Sequence, residues 1–125
     1  MASNASRGAE AKGKTKKWLE ARGYMVGDLE IVRWVWKGGK PAFAVKRDQF
    51  ASDLLAVGHD TIIFVQVKSG DSARGGTFPA ARREFATFTF PASARMLIVG
   101  WPPGATVPRL IEVFHDGSWS ELRAV

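Results

Sequence analysis

The chain predicts an α/β domain in which helices flank a mixed β-sheet, and three observations carry that expectation. The continuous apolar run Met96-Leu97-Ile98-Val99 reads as a strand buried on both faces. A helical stretch beginning near Pro79 precedes it, the crossover that parallel pairing with an earlier strand requires. Further upstream, Ser52–Val57 and Thr61–Lys68 are strand-like runs joined by Gly58-His59-Asp60, a turn short enough to force antiparallel pairing. With 125 residues, 46% of them hydrophobic, the chain can build one real core and is too short for two, so residues 1–125 are expected to form one domain.

In chain order, residues 1–6 are small and polar and predict a frayed start, with Asn4 or Ser6 available as a helix cap. A helix then runs to about Arg22, its apolar stripe made by Ala11, Thr15, Trp18 and Leu19, with Arg7, Glu10, Lys14 and Lys17 along one flank. Gly23 ends it. Leu29–Trp36 and the residues near Phe43–Val45 form a hairpin around Lys37-Gly38-Gly39-Lys40. Trp34 and Trp36 share one face of it, either as sheet cover or as a base-stacking platform. His59 and Asp60 read as turn residues. After the loop Asp71–Gly76, the helix from Pro79 should turn Ala81, Phe85 and Phe88 inward and leave Arg82 and Arg83 off the core face, free for solvent or phosphate. Arg109–Phe114 and Trp119–Leu122 flank Asp116-Gly117 as a terminal hairpin.

Charge and composition narrow the function. The chain has no cysteine and only two histidines, which removes disulfides, thiolate metal sites and a cysteine nucleophile, and leaves little for a structural zinc site. No apolar stretch approaches the roughly 20 residues that span a bilayer, and the N-terminus lacks a signal-peptide core, so an intracellular, cytoplasmic location is expected. The net charge of +6 is uneven: residues 1–47 hold 11 Lys/Arg against 4 Asp/Glu, and residues 48–125 hold 7 against 8. A one-sided basic surface suits a polyanion, whose phosphates release counterions on neutralisation.

Three polar groups interrupt the two central strands: Asp53 in Ser52–Val57, then Gln66 and Lys68 in Phe64-Val65-Gln66-Val67-Lys68-Ser69. Alternation places Gln66 and Lys68 on one face and Val65 and Val67 on the other, so an acid, an amide and a lysine can converge. Buried charges need partners, and such a set implies ion pairing or a divalent cation. Glu10 has two readings, an ion pair with Lys14 four residues on or a carboxylate aimed at the same cation.

The order of helix with glutamate, hairpin, Asp strand, Gln-x-Lys strand, helix and buried strand resembles the PD-(D/E)xK nuclease superfamily, above all the Holliday junction resolvases of archaea and phages. The likeness covers roughly residues 7–100 and rests on Arg7-Gly8 and Glu10, on Trp18–Tyr24, on Ser52–Val57, and on the Q-x-K strand thirteen positions after Asp53. Ser52 stands where a proline often precedes the aspartate, and Gln66 replaces the usual acid. The resemblance implies a restriction-endonuclease-like sheet with an α-β-β-β-α-β core and a C-terminal hairpin. It implies Mg²⁺, with Mn²⁺ as a substitute, held by Asp53, Gln66, the Val67 carbonyl and Glu10, with Lys68 acting on the attacking water. It also implies DNA contacts through Arg7, Lys14, Lys17, Arg47, Ser69, Arg82 and Arg83. A resolvase reading adds a branched four-way-junction substrate, a homodimer with two sites, and a cellular or phage origin. Another DNA nuclease of this fold (nicking, repair or restriction type) and a non-catalytic DNA-binding relative are the alternatives.

Overall fold

The structure, a computed structural model, describes residues 4–123, apart from the side chains of residues 4–7, 31–33 and 43–48. It is a mixed α/β arrangement: a mostly antiparallel six-stranded sheet carrying one helix on each face. Helix α1 (Asn4–Glu20) is followed by β1 (Met25–Asp28), β2 (Glu30–Lys37), β3 (Lys40–Asp48), β4 (Leu54–Gly58) and β5 (Thr61–Ser69). A 3-10 turn (Gly70–Arg74), α2 (Phe78–Ala86), β6 (Ala94–Trp101), β7 (Arg109–Val113) and β8 (Trp119–Leu122) complete the chain. The sheet order is β1-β4-β5-β6-β7-β8, and among the described residues only β5 and β6 run parallel, joined through α2 as the buried run at Met96 requires.

Alternation along the central strands divides the core in two. Leu97, Val99 and Trp101 of β6 and Ile63 and Val65 of β5 pack with Leu54, Ala56 and the Ala11 and Leu19 stripe of α1. Met96 and Ile98 point the other way, onto Phe78, Ala81 and Phe85 of α2. Thr15, fully buried on α1, accepts a 2.9 Å hydrogen bond from the Trp101 indole and donates at 2.7 Å to the Ala11 carbonyl, so neither polar group is left unpaired.

Helix α1 starts earlier and stops sooner than the sequence predicts. Residues 4–6 are helical rather than frayed, which places Ser6 inside the helix; residues 1–3 lie outside the described residues. The C-terminus is a Schellman closure: Gly23, at φ +92°, donates to the Glu20 carbonyl at 3.0 Å, and Tyr24 donates to Leu19 at 3.2 Å. His59 adds a role beyond its turn, since its Nε2 bonds the Arg22 carbonyl at 2.7 Å and its ring meets Tyr24 edge-on.

Two expectations are corrected. The hairpin β2–β3 does not enter the main sheet; it stands as a separate two-stranded ribbon, and the sheet edge is taken by Met25–Asp28, too short and mixed a segment to signal a strand. Since Asp28 pairs with Leu54, the ribbon is an excursion between two paired strands, β1 and β4. Phe88 lies beyond the end of α2 and is 42% exposed, because the helix stops at Ala86; Ala81 and Phe85 do point inward.

Candidate nucleic-acid and metal site

Strand β4 begins at Leu54, so Asp53 sits in the bend before it and escapes the alternation a strand would impose. Its backbone still serves the sheet: the Asp53 amide donates to Val65 at 2.8 Å, and its carbonyl accepts from Leu29 at 2.9 Å. With that carbonyl used by Leu29, the Asp53 carboxylate reaches the next amide of β5, accepting from Val67 N–H at 2.7 Å. The acid is thus fixed against the middle residue of the Gln-x-Lys triplet by a charge-assisted bond.

Around Asp53 lies a cavity of about 370 Å³ walled by Gly8, Ala9 and Lys12 of α1, Glu30 at the root of the ribbon, and Val67 and Ser69 of β5. Lys12 approaches Asp28 at 3.1 Å and Glu30 at 3.9 Å, which holds its ammonium group at the cavity wall. Sequence reasoning assigned neither Lys12 nor Glu30. The only available signal was the i,i+4 series of lysines on α1, and nothing local says that the ribbon root closes on it.

The predicted convergence of Asp53 with Gln66 and Lys68 does not form. Gln66, 2% exposed, lies on the α2 face, where its Nε2 donates to the Ala51 carbonyl and to Glu84 Oε2, both at 3.0 Å. Its Oε1 is buried and has no hydrogen-bond partner among the described residues. Lys68 is half-buried on that same face, because its register partner is Gly100, whose Cβ position is occupied by Phe78 of α2 and Ala73 of the 3-10 turn. The reason is Asp53's position outside the strand: as the next pair after Leu54 and Val65 it would have shared a face with Gln66. The Gln66–Glu84 bond was also missed, since only tertiary structure brings α2 to that point of β5.

A strained turn supports the α2 face. Phe50 and Ala51 both have positive φ, 53° and 55°, unusual for residues with side chains. The conformation is held by burial of Ala51, by the Gln66 bond to its carbonyl, by the Ser52 hydroxyl donating to Phe50 O at 2.8 Å, and by Phe50 ring contacts with Phe64 and Phe88.

Glu10 lines a different cavity, also of about 370 Å³, with Lys14, Asp71 and Trp101; Ser69 is the wall common to both. Glu10 is exposed and lies 3.7 Å from Lys14, so the geometry favours its ion-pair reading over the cation-ligand one. Lys14 sits 5.6 Å from the centre of the Trp101 ring, and Lys17 is exposed. Arg82 and Arg83 belong to α2 on the opposite side of the sheet; Arg82 stacks on Trp119 at 4.4 Å, and Arg83 is exposed. The basic residues therefore do not make one continuous track. The side chains of Arg7 and Arg47 lie outside the described residues.

The donors at the Asp53 cavity are all oxygens, two carboxylates and a serine hydroxyl, which suits a hard divalent cation bound through one or two acids and its remaining waters. Among the described residues no three His, Cys, Asp or Glu side chains are grouped so that they could hold a metal ion. No helix among the described residues is long and apolar enough to cross a membrane. Compared with known proteins, the chain matches no family model, no curated protein and no solved structure.

Proposed function

We propose that this protein is a metal-dependent DNA endonuclease with a restriction-endonuclease-like core resembling that of the PD-(D/E)xK enzymes, with Lys12 in the part that the motif gives to Lys68, and that it acts on branched DNA as a homodimer and uses Mg²⁺ or Mn²⁺. The observation that carries the reading is the Asp53 carboxylate, locked on the Val67 amide in a cavity beneath the lysine-rich helix α1. The order of α1, the Asp53 bend with β4, the Gln-x-Lys strand β5, the crossover helix α2 and the parallel strand β6 supports the reading.

Asp53 and Glu30 would hold the cation, which when bound polarises a phosphoryl oxygen and lowers the pKa of bound water. Asp53 keeps one orientation because the Val67 amide fixes one of its oxygens. Lys12 supplies positive charge at the wall where negative charge builds on the phosphate, and Lys14 and Lys17 extend that charge along α1 toward a backbone. Cutting opposing strands of a four-way junction needs two such sites at a fixed separation, hence the dimer.

A second reading has its own support. Gln66 is occupied by Ala51 and Glu84, and the acids at the cavity number two, as in a relative that binds DNA without cutting it. One experiment separates them: purified protein with Mg²⁺ on labelled junction, flap, duplex and single-stranded DNA, beside Asp53→Asn, which keeps an acceptor for Val67 and removes the charge. The nuclease reading expects paired nicks in the junction from the wild type and none from the variant. No cleavage of any DNA by either protein leaves the binding reading; cleavage retained by D53N removes Asp53 from the site.

A further inference from the structure

The ribbon β2–β3 is the part of the molecule that the cavity does not explain. No other element packs extensively on it among the described residues. Trp34 and Trp36 are 57% and 63% exposed, Val35 between them is half-buried, and the ladder shifts register between Val35 and Trp36. Two large indoles left in water on a narrow ribbon are a cost to the free protein unless something covers them.

Charge identifies the cover. Residues 30–48 hold five Lys/Arg against two Asp/Glu. The acids, Glu30 and Asp48, are register partners at the root; beyond them every charge is positive. At the tip, Gly38 and Gly39 at φ +60° and +77° make a tight turn that sets Lys37 directly opposite Lys40. Like charges paired across strands repel, and a phosphate between them reverses that penalty.

The geometry points to the ribbon as an arm that stacks unpaired DNA bases on Trp34 and Trp36, with the tip lysines on the flanking phosphates. Exposed indoles offer flat faces on which bases stack whatever their sequence, and the register shift between Val35 and Trp36 adds local twist that sets the two rings at different angles. The ribbon springs from Glu30, which lines the cavity, so the arm and the cavity share one root. The inference deepens the nuclease reading by naming what the protein recognises in branched DNA, unstacked bases at the branch.

Binding is measured in EDTA, without cleavage, by anisotropy with an oligo-dT, a gapped duplex and a blunt duplex of equal charge, using wild type, W34A/W36A, W34F/W36F and K37A/K40A. The double alanine variant should lose about tenfold or more on the first two DNAs and less than about twofold on the blunt duplex. The phenylalanine variant should retain most of the affinity. K37A/K40A should weaken all three DNAs and lower the salt slope by about 2. Equal losses on all DNAs, or none, would overturn the inference. So would a W34A/W36A protein that sediments as a smaller species with unchanged DNA affinity, because the indoles would then be a self-association surface. Circular dichroism confirms that each variant is folded, as expected for exposed positions. Base-dependent binding with no Mg²⁺-dependent cleavage keeps this inference and removes the nuclease reading; cleavage that is insensitive to both tryptophans does the reverse.

Discussion

On the α1 face the end of β5 opens onto water: Val67 and Ser69 meet Asp53, Glu30 and Lys12 around a cavity. On the α2 face the same strand is sealed, with Phe64 against Phe50 and Phe90 and Gln66 bonded to Ala51 and Glu84. One nine-residue strand thus serves a polar, accessible site and a closed packing surface through residues that alternate along it. A polar residue inside an apolar strand is therefore no guide to function until its face is known. Gln66 is the more buried of the two motif residues, yet its partners are those of a structural amide.

The sharpest way to break this comparison is to remove one lysine from each face. On the proposed nuclease reading, Lys12→Ala should lower Mg²⁺-dependent cleavage by about 10²-fold or more, as expected when a charge that acts on the transition state is lost. Lys68→Ala, on the sealed side, should change it by less than about threefold. Single-turnover rates at saturating metal decide the matter. The opposite ranking would mean that the chemistry sits on the α2 face and that the Asp53 cavity is a bystander.

Gln66→Glu probes the sealed face itself. The substitution sets a buried carboxylate against Glu84 Oε2 and the Ala51 carbonyl, replacing two donated hydrogen bonds by repulsion. Folding stability should fall by about 3 kcal/mol at pH 7, and part of it should return as the pH falls from 7 toward the ordinary carboxylate range near pH 4, because burial beside Glu84 raises the new acid's pKa and the protonated form can again donate. Urea melts at several pH values measure this. If Q66E is instead as stable as the wild type and gains further with Mg²⁺, Gln66 and Glu84 flank a cation and the division between the faces is wrong.

Much of this architecture was legible from the chain. The β4–β5 hairpin, the crossover through α2, the buried strand at Met96 and the terminal hairpin all follow from apolar runs and turn residues, which act locally. Three features were not. Met25–Asp28 joins the sheet edge through pairing with Leu54–Val57, a long-range event that its own four residues do not signal. The departure of Asp53 from strand geometry depends on the strained Phe50-Ala51 turn, where neither residue advertises a left-handed conformation. The exposure of Trp34 and Trp36 follows from the ribbon leaving the sheet, whereas aromatic residues on a hairpin normally read as cover.

Packing on the sealed side gives a smaller effect. A Cβ at Gly100 would lie 2.9 Å from the Phe78 ring and 3.3 Å from Ala73, so Gly100→Ala must shift α2 or the 3-10 turn and should cost about 2 kcal/mol. Cleavage per folded molecule should stay near wild type, since the displaced elements lie across the sheet from Asp53. A thermal melt beside a rate measurement tests the pair of expectations. A large loss of rate with little loss of stability would couple the faces.

The smallest effect lies at the polar rim of the sealed face. Arg109 packs over the Phe78 ring and grips Glu121 with two hydrogen bonds, at 3.0 and 2.8 Å. The Arg109 bonds hold the Glu121 carboxyl below its ordinary pKa, against a partial loss of hydration. A depressed acid contributes stability that is present above its unfolded pKa and disappears as the pH falls through its folded value. The pair is largely exposed, so Glu121→Gln should cost only about 0.5 kcal/mol at pH 7. The gap between wild type and variant should persist down to the ordinary carboxylate range near pH 4, close below it, and shrink with added salt. Melting curves from pH 7 to pH 3 at two ionic strengths measure it. A gap that instead widens in acid would mean that Glu121 is protonated more readily in the folded chain than in the unfolded one, and that the Arg109 grip does not stabilise the rim.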